Sequence, residues 1–146
     1  MALDSMHHGN VTELDAHSLF GTMEVKASHE YFKNKQNRTM IIERSSYAGM
    51  GKFGSRWLGD NSATPGYMGW SVTGIMGMNM AGIPLVGSDI CGFIGNTTAE
   101  LCARWYNVGA FYPFARNHNS WDTIAQEPWV WKGMHYEGTI IYYDII

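Results

Sequence analysis

With 146 residues, 45% of them apolar and only 16% charged, the chain is the size of one domain or part of one, and it is poor in charge for an independent soluble domain. A net charge of −3 supplies no basic face for nucleic acid, and no run of about 18 apolar residues is present to span a membrane. Aromatic residues reach 14%, which suits a large interior or a carbohydrate site with stacking platforms.

Met1 to Thr12 is polar and reads as loop; its His7-His8 pair lacks a third ligand nearby, so no metal site is expected. Phe20, Met23, Ala27 and Tyr31 fall at helical spacing and predict an amphipathic helix over Leu19–Phe32. Lys33–Asn37 reads as a charged turn, and Thr39–Ile42 as a strand. Ser45–Ser55 holds three glycines without the Gly-Lys-Ser/Thr ending of a phosphate loop, and is expected to line a site before a strand at Ser55–Gly59. Met68, Val72, Ile75, Met76 and Met80 form a second helical stripe, read as core, although Gly69, Gly74 and Gly77 weaken it. Ile83–Asp89 reads as a strand opened by Pro84. Thr97-Thr98-Ala99-Glu100 reads as a capping box with Thr97 at the N-cap, opening a helix whose buried face is Leu101, Trp105 and Val108. Gly109–Phe114 reads as a fourth strand, and the order predicts βα repetition without a linker.

Each of the four strands runs directly into a polar residue: Arg44, Asp60, Asp89 and His118, with Trp57 and Phe93 beside them. Singly these are ordinary, since an Asp after a strand often caps a helix. Jointly they point to one site, because parallel α/β folds gather the C-terminal ends of their strands on one face, where the chemistry sits.

Arg44-Ser45-Ser46-Tyr47-Ala48-Gly49, Trp57-Leu58-Gly59-Asp60-Asn61, Gly82–Phe93 and Gly109–Asn119 resemble, in order, the motifs of the α-glucosidases of glycoside hydrolase family 31. Leu14–Gly21 also resembles the segment that precedes them. The resemblance covers about Leu14 to Gly133 and implies a partial TIM barrel, roughly its second half, in residues 1–133, followed by a divergent tail in 134–146. It implies retaining hydrolysis of terminal α-linked glucose from maltose-, starch- or glycogen-type substrates, without a cofactor. Asp60 matches the general acid/base and Arg44 an arginine near it. Asp89 and His118 match ligands of substrate hydroxyls, and Trp57 and Phe93 the aromatic wall. The family's nucleophile belongs to a Trp-Ile-Asp-Met-Asn-Glu type motif; no such run occurs here, and neither Asp4 nor Asp15 is set in one. The chain alone is therefore expected to be inactive, the alternative being a carbohydrate-binding remnant. α-Xylosidase, lyase and transglucosidase relatives share the implied architecture.

Cys91 and Cys102 are the two cysteines, and by themselves allow either a bridge or two buried thiols. The resemblance implies a bridge, and a lysosomal or extracellular setting. Three Asn-X-Ser/Thr triplets, at Asn10, Asn37 and Asn96, fit a secretory route.

Overall fold

The structure, a computed structural model, describes residues 2–131. The expected tail, 134–146, lies outside the described residues. The first twelve residues are not simply loop: β1 (Met6–His7) and β2 (Val11–Thr12) form an antiparallel hairpin. A single helical turn, α1 (Glu13–Ala16), comes next, capped by the Thr12 side chain. Helix α2 (Phe20–Asn34) forms where periodicity predicts one. The face it buries is different: Gly21 and Val25 point inward, while Phe20, Met23 and Tyr31 face solvent.

Four parallel strand positions then form an open arc. β3 (Ile42–Glu43) is shorter and later than the predicted Thr39–Ile42, and pairs with β4 (Ser55–Trp57). Between them Met50 is fully buried in a small core with Val25 and Ile83. Ser45–Ser55 is thus only in part a site-lining loop, because its second half packs beneath the sheet. Thr64 caps and Pro65 opens α3 (Pro65–Met80), a start matched to the N1 preference of proline. Gly74 lets α3 lie against Leu58, since a Cβ there would sit 2.7 Å from its Cδ1. Of the predicted stripe only Ile75 is fully buried; Val72, Met76 and Met80 are exposed, Met80 by 89%.

β5 (Val86–Gly87) pairs with β4, and β6 (Asp89–Ile90) pairs with β7 (Arg116–Asn117). Ser88 separates β5 from β6, so one strand changes partner at a single residue. Between β6 and β7 runs α4 (Ala99–Gly109). Its cap is Thr98, whose Oγ1 accepts from Leu101 N at 3.2 Å. Thr97, assigned that role from sequence, is buried instead, and Glu100 reaches forward to Arg104 at 2.7 Å rather than back. The predicted strand Gly109–Phe114 is the end of α4 and a turn, with β7 beginning only at Arg116.

The main core gathers Ile75, Val86, Ile90, Leu101, Trp105 and Tyr106 between sheet and helices. Its polar atoms are paired: Trp105 Nε1 donates to Tyr112 Oη at 3.1 Å, and Tyr112 bonds Ser71 Oγ. Burial pushes the Tyr112 phenol up in pKa. Cys91 and Cys102 are joined by a disulfide, Cα to Cα 4.5 Å, which ties the end of β6 to α4. Parallel strands with α3 and α4 as crossovers make this an unclosed portion of a β/α barrel. No helix among the described residues is long and apolar enough to cross a membrane.

Candidate active site

The residues predicted from strand ends do converge. Arg44 follows β3, Trp57 ends β4 with Asp60 three residues on, Asp89 begins β6, and His118 follows β7. Parallel pairing puts the C-terminal ends of β3, β4 and β5 on one face, and Asp89 stands two residues past the end of β5.

Asp60 is partly exposed, with Arg44 Nη1 3.6 Å from its Oδ2. Gly59 makes this approach possible. Its φ of +88° is left-handed, and a Cβ would come within 2.8 Å of Arg44 Nε. The pair is open to water on both sides, so its Coulomb gain is small and its value is positional. Asn61 anchors the turn behind it: its Nδ2 donates to Ser88 Oγ at 2.8 Å and to Asp89 O at 2.9 Å, and its Oδ1 accepts from Phe93 N at 3.1 Å.

Asp89 is 0% exposed, and its Oδ1 accepts from Arg116 Nη2 at 2.6 Å. Burial nevertheless dominates and pushes its carboxyl above the ordinary carboxylate value; the Arg116 hydrogen bond and charge act against that shift. His118 also favours the ionised form electrostatically, and Asp60 disfavours it, so the three groups share one field. The Arg116 guanidinium lies 5.4 Å from the ring centroids of both Trp57 and Phe114. Phe93 and His118 stack obliquely, ring centroids 4.9 Å apart.

Four buried polar atoms in this cluster lack a partner among the described residues: Trp57 Nε1, Asp89 Oδ2, Arg116 Nε and Gln126 Oε1. Buried donors and acceptors are almost always paired, so this unsatisfied set beside the Asp89–Arg116 pair stands out from the rest of the interior. A cavity of about 180 Å³ adjoins Asp60 on the side of α3 and is lined in part by Tyr67 and Trp70, rings 5.2 Å apart.

Sequence reasoning missed Arg116, Asn61 and Gln126. Arg116 carries a legible signal: it is a cation two residues before His118, in the same polar run Arg116-Asn117-His118. Gln126 has none, since it reaches the site from a loop distant in sequence. The three triplet asparagines, Asn10, Asn37 and Asn96, are exposed.

A family model described as the glycosyl hydrolases family 31 TIM-barrel domain matches residues 1–144. The chain is 50% identical over 125 residues to lysosomal acid alpha-glucosidase of Tetrahymena pyriformis, covering 85% of this chain and 14% of that protein. It is 49% identical over 120 residues to intestinal sucrase-isomaltase of Homo sapiens, covering 80% and 6% respectively. The crystal structure of glucosidase II alpha subunit in its alpha3-Glc2-bound form superposes with a TM-score of 0.88 at 35% identity, over 99% of this chain and 16% of that one. The chain spans a small part of the length of the relatives it matches.

Proposed function

The chain belongs to glycosyl hydrolases family 31, and from that premise we propose that it carries the acid/base and the glucose-binding wall of a retaining α-glucosidase acting on terminal α-linked glucose. The observation that carries this reading is the grouping of Trp57 and Asp89 about Arg116, in one electrostatic field with His118 and with an accessible Asp60 that Arg44 approaches to 3.6 Å. The Trp57 and Phe93 rings suit the apolar faces of a pyranose.

In this reading Asp60 protonates the glycosidic oxygen as the bond to the leaving sugar breaks, then takes a proton from the water that releases glucose. Its partial exposure fits a group that must exchange protons with water in each cycle. Arg44 holds its carboxyl in place. Asp89 and His118 bind substrate hydroxyls, and Arg116 keeps Asp89 oriented. Retention also requires a second carboxylate about 5–5.5 Å away as nucleophile. The sequence contains no motif of the nucleophile type, so the chain by itself binds sugar without cleaving it. That same lack is what favours the second reading, a carbohydrate-binding remnant.

A segment exchange separates the two. Residues 2–131 replace the matching segment of the Tetrahymena relative, so that the nucleophile this reading requires would come from the remaining chain. The exchanged enzyme is expected to release glucose from maltose, and Asp60→Asn to suppress this by about 10²-fold or more. Aryl glucosides with good leaving groups should suffer less in the first step, because they need less protonation. A folded exchange enzyme that releases no glucose would overturn the catalytic reading.

A further inference from the structure

We infer that Gln126 is a positioning residue of the Phe93–His118 wall, its buried amide serving as a side-chain rung between β6 and β7 beyond the point where their ladder ends, next to the backbone bond from Ser120 N to Phe93 O. The last paired residues are Ile90 and Asn117. Past them both chains leave sheet geometry: Cys91, which is not glycine, has a φ of +75°, and Gly92 follows at +92°. A left-handed turn at a β-substituted residue persists only where its surroundings over-determine it. It leaves the carbonyls on either side, Ile90 O and Gly92 O, inside the protein without a neighbouring strand.

Gln126, 1% exposed, fills that gap. Its Nε2 lies 3.2 Å from Ile90 O, 3.2 Å from Gly92 O, 3.3 Å from His118 O and 3.0 Å from Asn117 Oδ1. Four acceptors and no donor surround this nitrogen, which fixes the amide orientation, since the reverse would set oxygen against oxygen. Two amide hydrogens therefore serve carbonyls from both splayed segments. The backbone of Gln126 is held in turn, its O accepting from Asn117 Nδ2 at 2.8 Å and from Tyr106 Oη at 3.4 Å. Phe93 comes directly after the left-handed turn, and His118 carries one of the four acceptors. The 4.9 Å approach of their rings rests on the Ser120 N to Phe93 O bond at 3.0 Å, on Asn61, which holds Phe93 N, and on the Gln126 amide, which spans the two segments behind them. The disulfide does not replace this rung, because it ties Cys91 to α4 and not to β7.

The consequence for sugar binding rests on the function proposed above; the positioning itself does not. The test uses the 146-residue chain and two variants: Gln126→Met, close in shape but without the amide, and Gln126→Asn, which keeps the amide one methylene short. Wild type is expected to show nuclear Overhauser contacts between the Phe93 and His118 rings, and between Trp105 and Tyr112 in the core. Gln126→Met should lose the first and keep the second. If Gln126→Met loses both, Gln126→Asn decides: loss of the wall contact alone sustains the proposal, and loss of both makes Gln126 an ordinary core residue and overturns it. A wall contact retained in Gln126→Met, or absent from wild type, overturns it as well. In the exchanged enzyme, Gln126→Met should raise KM for maltose about tenfold with kcat within about twofold, as expected for a displaced binding wall. An unchanged KM would sink the sugar-binding consequence, whereas an inert wild-type exchange would count against the catalytic reading and leave the ring contacts to judge Gln126.

Discussion

Helices α2 and α4 carry similar apolar spacing and meet opposite fates. In α4 Leu101 and Trp105 of the stripe are turned into the core, joined by Tyr106, which the stripe did not include, while Val108 is only partly buried. In α2 the residues that define the stripe lie in solvent, Met23 at 58%, while Val25 alone makes the large inward contact. Periodicity describes a helix's capacity for burial, and neighbours decide whether it is used. α4 packs on β6 and α3, bonds Asn117 of β7 through Tyr106 and carries a disulfide; α2 packs on the short turns at 17–19 and 50–52 and meets the hairpin through Phe20 and His7. The two regions also hold one buried carboxylate each, and these shift in opposite directions. Glu13 accepts from His17 Nδ1 at 2.8 Å and His7 Nε2 at 2.6 Å, and these bonds hold its carboxyl below the ordinary value. Asp89 has a guanidinium just as close, yet burial prevails and its pKa goes up.

The largest test of this contrast is a pair of truncations. Trp105→Ala should cost about 3–5 kcal/mol, combining a large cavity with a hydroxyl left without its indole donor. Met23→Ala should stay within about 0.5 kcal/mol. Chemical denaturation of both variants checks the ranking, and comparable losses would mean that α2 is covered in solution. Next in size is the bridge. Replacing Cys91 and Cys102 together by Ala should lower stability by about 3 kcal/mol in the chain-entropy account, and the loss should appear first as faster amide exchange in α4 and the 91–97 loop, with α2 unchanged.

The smallest effect, and the one that separates the carboxylates, is on pH dependence. Asp89 has its folded pKa raised above 3.8, so the stability it contributes is present below that value and is lost as pH rises through the raised one. The advantage of wild type over Asp89→Asn should therefore shrink with rising pH. Glu13 has its folded pKa lowered from 4.5, so its contribution is present above 4.5 and is lost as pH falls through the lowered value. The advantage of wild type over Glu13→Gln should grow with rising pH. Denaturant midpoints between about pH 3 and pH 7 give both slopes, and slopes of the same sign would refute the assignment.

Much of the site was legible because strand ends are punctuated locally. Asp60 and Asp89 could be found as the polar residues that terminate apolar runs, without knowing how the runs pair, whereas His118 was reached from a run that is not its strand. The same logic misplaced the fourth strand, since Gly109–Phe114 is apolar enough for a strand but already serves as the end of α4. It also placed the α4 cap one residue early, because either threonine can cap and only burial of Thr97 settles the choice. The exposure of Met76, Met80 and Met23 was not legible at all, for it depends on what surrounds a helix and not on its own spacing. Gln126 escaped for the same reason: its role is defined by carbonyls that are neighbours only in three dimensions.

The break at Ser88 has a kinetic meaning. Leu58 N donates to Gly87 O at 2.9 Å on one flank, and Phe114 N donates to Val86 O at 3.2 Å on the other, while the next two residues pair only with β7. A strand shared in this way cannot let go of one neighbour and keep the other without turning about Ser88, whose hydroxyl Asn61 holds. Opening on either flank is thereby coupled, and the Leu58 and Phe114 amides should exchange with solvent as one cooperative unit even though 56 positions separate them in the chain.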